Sequence, residues 1–191
     1  MEESRRRSRR NASLDPSGFA LRMTLWGIIS CLIVIFFSDL KYHLISDYVL
    51  LALFGLSFIY KLTQAISHSG LSRIVVGGFW SRFAPQNDII SGLIVALPIF
   101  LIYYISHERA MGLGDVYLSA IIGFLLGWKA GFMALYIAFI TGAIFGLILM
   151  VLHKKKLKSK IPFGPFLVIG TITMLFWGEK IFGIIKKIYG F

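Results

Sequence analysis

The sequence predicts an all-α, polytopic membrane protein of six transmembrane helices, and three observations carry that reading. Hydrophobic residues make up 57% of the 191, with 17 Phe among them, against roughly 45–50% in soluble domains. The mean hydropathy is +0.78. The apolar residues also fall in six runs bounded by charge, Gly or Pro, near Leu21–Ser38, Tyr48–Ile66, Ile89–Ser106, Val116–Trp128, Phe132–Leu152 and Phe163–Trp177. Finally, Lys and Arg number 20 against nine acids, for a formal charge of +11, and they sit in a tail and short connectors. Lipid headgroups and membrane orientation account for cations placed that way. Nucleic-acid binding does not fit a chain with so little polar surface.

Residues 1–19, MEESRRRSRRNASLDPSGF, are polar and basic and read as a mobile N-terminal tail; residues 20–191 form the membrane domain. The tail and first run are not a secretory signal, since no A-x-A-like site closes the run and further runs follow. Ser8-Arg9-Arg10 lies too far from the apolar run for a twin-arginine signal. Crossing a hydrocarbon core takes about 20 helical residues, with a range near 17–25, and five of the runs come close to it. The fourth, Val116–Trp128, would rise only about 20 Å, so its N-terminal end can begin below the headgroup plane.

Between the second and third runs, Ser67–Asn87 mixes Phe79, Trp80 and Phe83 with Arg73 and Arg82. That blend suits an interfacial loop or surface helix. Glu179–Phe191 alternates basic and apolar residues and is expected to lie on the surface as well. Glycine pairs four apart, Gly123/Gly127, Gly127/Gly131 and Gly142/Gly146, allow close helix packing. Cys31, the single cysteine, can form neither an internal disulfide nor a cysteine-rich zinc site and reads as apolar filler.

Acids inside or beside transmembrane segments are costly, by about 2.5–3.5 kcal/mol at a helix centre, so each needs an account. Glu2, Glu3 and Asp15 lie in the tail, and Asp88 and Glu179 sit at span edges where capping or solvation explains them. Asp39, Asp47, Glu108 and Asp115 remain. If six spans alternate, the loops after the first, third and fifth share one membrane face, which brings Asp39 and Asp115 together. Singly, each has an ordinary explanation: Asp115 as a helix N-cap after a Gly112–Gly114 turn, and Asp39 as a helix-end carboxylate paired with Lys41. As a pair they suggest a catalytic dyad. Gly112 and Gly114 would then let a substrate strand approach the backbone closely. The loop is no phosphate cradle, because Tyr117 takes the third glycine position and no strand precedes it. His43, His107 and His153 lack metal-ligand spacing, so no metal or other cofactor is expected.

Three stretches resemble one family. MGLGDVYLSAIIGFLLGW, Met111–Trp128, resembles the G-x-G-D region of the type IV prepilin leader peptidases. FSDLKYHLISDYVLL, Phe37–Leu51, resembles their first motif, an Asp followed by Ile-Pro-Asn or Ile-Pro-Asp. IPFGPFLVIGTI, Ile161–Ile172, resembles their last span, where Pro-Phe-Gly-Pro is typical. The three occur in the family's order and spacing. The resemblance implies an aspartyl endopeptidase with Asp39 and Asp115 as catalytic residues. Such an enzyme cleaves the basic leader of prepilin-like, pseudopilin-like or archaellin-like precursors at the cytoplasmic face, just before the precursor's apolar helix. Two departures stand out: Ser46 where the family has Pro, and Tyr117 where it often has Lys. The family's optional methyltransferase region, with its paired cysteines, has no counterpart, so a minimal peptidase without N-methylation activity is expected.

The chemistry follows from the pair. Two adjacent carboxylates share one proton. The ionised acid takes a proton from water, which attacks the peptide carbonyl, and the protonated acid donates to the oxyanion or leaving amine. Which acid holds the proton is left open. Asp47 and Glu108 are candidate contacts for the basic leader. Orientation is contested by charge. Seven Lys and Arg fall on the aspartate side and thirteen on the other, and a bare positive-inside tally puts the aspartates outside. The dense Lys154–Lys160 loop and the family resemblance put them in the cytoplasm, which is the expectation adopted. The competing classes are a small ion-coupled transporter or channel, since intramembrane acids also mark ion paths, and a presenilin-like protease, which shares G-x-G-D.

Overall fold

The computed structural model describes residues 16–42, 45–67, 88–107, 111–152 and 162–189. These form six α-helices and, among the described residues, no strand: α1 (Pro16–Tyr42), α2 (Asp47–Ser67), α3 (Asp88–Ser106), α4 (Leu113–Leu126), α5 (Trp128–Val151) and α6 (Gly164–Tyr189). Four carry stretches long and apolar enough to cross a membrane: Arg22–Tyr42, Ile89–Ser106, Trp128–Val151 and Gly164–Lys187. Their outward faces are apolar too. Ile89, Leu93 and Leu97, one stripe of α3, are 80%, 71% and 59% exposed. A surface of that kind needs lipid around it.

The short helix occupies the middle. α4 has 14 residues, of which ten are buried, and it contacts α2, α3, α5 and α6. Its buried set, including Leu118, Ile122 and Leu125, leaves only a narrow outer strip. The surrounding helices turn single stripes toward it and one another. Ile28, Leu32 and Ile35 of α1, Leu50 and Leu53 of α2, and Val95 and Ile99 of α3 recur at the three- and four-residue intervals of a helix face. Buried hydroxyls satisfy themselves within their own helices, as lipid-embedded polar groups must. Ser57 donates to Leu53 O (2.7 Å) and Thr171 to Leu167 O (2.7 Å).

Several expectations shift. α1 begins at Pro16, within the stretch expected to be tail, because proline suits a first helical turn. α4 begins at Leu113, three residues before the expected start. The sixth run and the terminal stretch, expected to be separate, form one helix: Gly178 is buried within it, and Ile181 and Phe182 pack on the core. Of the packing glycines, Gly123 and Gly131 meet Val95 of α3. Gly127 does a different job. Its φ of 79° breaks the chain between α4 and α5, a conformation that non-glycine residues rarely adopt. The close α5–α6 approach is made by Ala134 and Ala138, facing Gly170. Ser67–Asn87 and Lys154–Lys160 lie outside the described residues, apart from the backbone of Ser67 at the end of α2.

Candidate active site

Asp39 lies one turn from the C-terminal end of α1, and Asp115 lies in the first turn of α4. Distant in sequence, they come together at one end of the bundle, close enough for the two carboxylates to interact electrostatically. Both are buried, at 5% and 7% exposure, and among the described residues they are the only buried acids. A buried carboxylate left without a purpose costs several kcal/mol or more, so two together are a feature the fold must maintain.

Asp115 is not the N-cap of α4. Gly112 is the cap, in an extended conformation (φ −87°, ψ 159°) open to any residue, and Asp115 is the third helical residue. The Gly112 N–H donates to Asp115 Oδ2 (3.3 Å), and the Asp115 N–H donates to the Gly112 carbonyl (3.2 Å). Glycine has no side chain, so only the carboxylate-to-cap half of a capping box can form. That contact fixes one carboxylate oxygen. The other, Asp115 Oδ1, is buried with no hydrogen-bond partner among the described residues. Unsatisfied buried oxygens are uncommon enough to call for a functional explanation.

On the other side, Asp39 abuts the first turn of α6. A Cβ on Gly164 would run into its carboxylate. A side chain at that position would expel the acid from its place, so Gly164 belongs to the site. Ile45, in the α1–α2 connection, joins the two halves. A Cβ on Gly114 would lie 3.0 Å from it, and one on Gly164 would lie 3.3 Å from it. Gly114 is therefore needed for close approach by Ile45, and not for an unusual backbone angle. Gly112, by contrast, is exposed, and a Cβ added there would meet nothing nearer than Gly114 N, at 4.0 Å.

Lys41 places its Nζ over the Tyr42 ring, 5.2 Å from the centroid. Asp47 is exposed at the start of α2, and Ser46 begins that helix by accepting from the Val49 and Leu50 N–H groups (3.0 and 3.1 Å). Glu108, His43 and His153 lie outside the described residues. No group of three or more His, Cys, Asp or Glu comes together among the described residues. Gly164 and Ile45 are the residues that sequence reasoning passes over. Gly164 is visible there only as the glycine of the Pro162–Pro165 motif, and nothing in sequence marks Ile45 as the bridge.

The model of the type IV leader peptidase family matches residues 26–147, a segment that contains both aspartates. The chain belongs to the type IV leader peptidase family. Relatives agree. A prepilin leader peptidase/N-methyltransferase of Legionella pneumophila is 32% identical over 85% of this chain and 51% of its own length. The proteins of the same name from Aeromonas hydrophila and Pseudomonas aeruginosa are 29% and 26% identical, each over 85% of this chain and over 55% and 50% of their own lengths. The chain thus spans about half the length of the curated relatives it matches. No solved structure matches. The family matched is neither a transporter family nor a presenilin-like one.

Proposed function

We propose that the protein is a membrane aspartyl endopeptidase that removes the basic leader of prepilin-like precursors, with Asp39 and Asp115 as its catalytic pair. The meeting of the two buried carboxylates, carried by separate helices, is the observation that supports this reading most. The names of the relatives supply the substrate class. One acid, ionised, takes a proton from a water molecule as that water's oxygen bonds to the scissile carbonyl carbon. The other, protonated, gives its proton to the carbonyl oxygen, and the leaving amine is protonated as the C–N bond breaks. The Gly112 N–H orients Asp115, and exposed Gly112 offers backbone along which an extended leader can lie. Asp47 and Glu108 are the acids we assign to the basic leader. We place the site at the cytoplasmic face of the cell membrane.

Purified protein incubated with a leader-bearing prepilin-like precursor tests the activity. The expected outcome is one cut between leader and apolar helix, located by mass spectrometry. An intact precursor, or cuts scattered along the chain, would count against it.

A further inference from the structure

One apolar side chain at the carboxylate end takes no part in proton transfer, yet it reaches the helix starts beside both acids. Ile45 stands two residues before α2, and its neighbour Ser46 is fixed there by the Val49 and Leu50 N–H groups that donate to its carbonyl. The side chain is half-buried and packs on the core. Its β-branch leaves little freedom at χ1, so it fills its place as a stiff body. The three atoms nearest a Cβ built on Gly114 all belong to Ile45: Cβ at 3.0 Å, Cδ1 at 3.2 Å and Cγ1 at 3.4 Å. The same Cδ1 would lie 3.3 Å from a Cβ on Gly164, where the Asp39 carboxylate carbon would lie 3.1 Å away. One methyl group thus reaches the start of α4 next to Asp115 and the start of α6 next to Asp39.

Glycines deeper in the bundle serve another end. At Gly92 and Gly123 a Cβ would meet Ala120 O at 2.8 Å and Ser91 O at 2.7 Å, so these two let helix backbones approach each other. Gly114 and Gly164 instead make room for Ile45 and a carboxylate. Glycine weakens a helix, and here two helix starts carry one to admit the same side chain. We infer that Ile45 is a positioning residue, holding the Asp39 and Asp115 carboxylates at their working separation and keeping water off that side of the pair. The inference rests on the peptidase reading and deepens it. Two carboxylates share a proton only while they are close and poorly screened by solvent. Among the described residues, the other ionisable side chains at this end are Lys41 and Tyr42 on α1, Asp47 and Tyr48 on α2, Tyr103, Tyr104 and His107 on α3, and Tyr117 on α4. All of these except half-buried Tyr103 are exposed, and α5 and α6 carry none there. Shortening Ile45 opens a gap beside the acids; water entering it screens one from the other.

A truncation series read against pH tests the role. Cleavage of a leader-bearing precursor is measured for wild type, Ile45→Val, Ile45→Ala and Ile45→Leu. Leu53→Ala, at a core position of α2 that is 1% exposed, serves as a packing loss away from the acids. Ile45→Val removes the one methyl that reaches both glycines. Ile45→Ala should lower kcat about tenfold through misplacement of the acids, and Ile45→Val less, with KM little changed in both. The two limbs of the pH profile should move toward each other in the same order. Ile45→Leu, which keeps a Cδ, should recover most of the rate and of the limb separation. Leu53→Ala should lower the unfolding temperature in detergent and leave the limbs in place. Limbs that stay fixed in Ile45→Val and Ile45→Ala, or that move as far in Leu53→Ala, would overturn the positioning role and leave the peptidase reading standing. Should Ile45→Ala fail to fold, the limbs of Ile45→Val decide alone. If wild type does not cleave the precursor, the peptidase reading falls, and the role of Ile45 falls with it.

Discussion

Four residues carry most of the site's logic: the two acids, and two glycines whose surroundings differ. At Gly164 a Cβ meets the Asp39 carboxylate; at Gly112 it meets open space. Gly164→Ala should therefore lower stability by about 1–3 kcal/mol through overpacking and abolish activity with it. Gly112→Ala leaves the backbone unstrained, so thermal unfolding in detergent should shift by no more than about 0.5 kcal/mol. If the leader lies along Gly112, cleavage should nonetheless drop severalfold. A paired measurement of unfolding and cleavage for both variants separates a packing glycine from one kept clear for substrate. The acids make a further demand. Catalysis needs one carboxylate ionised and one protonated, so kcat/KM against pH should be bell-shaped, its two limbs belonging to the pair. A rate that rises to a plateau without a second limb would mean that a single acid acts.

Among the helices, α4 shows what sequence can and cannot reveal. Its apolar core and shortness are legible, and the alternation of spans is enough to bring Asp39 and Asp115 to one side. Its start is not legible, because Gly112-Leu113-Gly114 reads as a turn while residues 113 and 114 are helical. The cap therefore falls on Gly112 and places Asp115 third in the helix, within its first turn, held by a backbone N–H. Gly127 misleads too: spacing suggests a packing glycine, but its φ of 79° makes it the break between α4 and α5. Gly127→Ala should cost about 1–2 kcal/mol, read as a lower unfolding temperature, whereas a spacing-only role would predict a loss that tracks side-chain size. Ile45 is illegible altogether. It matters because α4 and α6 both present a glycine to it, a coincidence that exists only in three dimensions.

At the scale of the molecule, the bundle is built around one short helix. α2, α3, α5 and α6 pack on α4, and α1 joins through α2 and α6. Apolar faces turn outward to lipid, and the carboxylates sit where α1, α4 and α6 converge. That plan explains why composition and hydropathy reveal the architecture so readily: each outer helix buries one stripe and gives the rest to the bilayer. Orientation does not follow from charge alone, since the alternation of spans expected from the sequence divides the cations between the two sides. A reporter fused at Ser159 should be active only in its cytoplasmic form. An external Ser159 would turn the carboxylate pair to the opposite face and remove the proposed site of leader cleavage.

If two carboxylates acting together cut the leader, neither can be spared. Asp39→Asn and Asp115→Asn preserve side-chain size while removing the acid. With a leader-bearing precursor, each should reduce cleavage to background while the purified variants remain folded in detergent. Cleavage that survives either substitution at a near-wild-type rate would contradict the two-aspartate account.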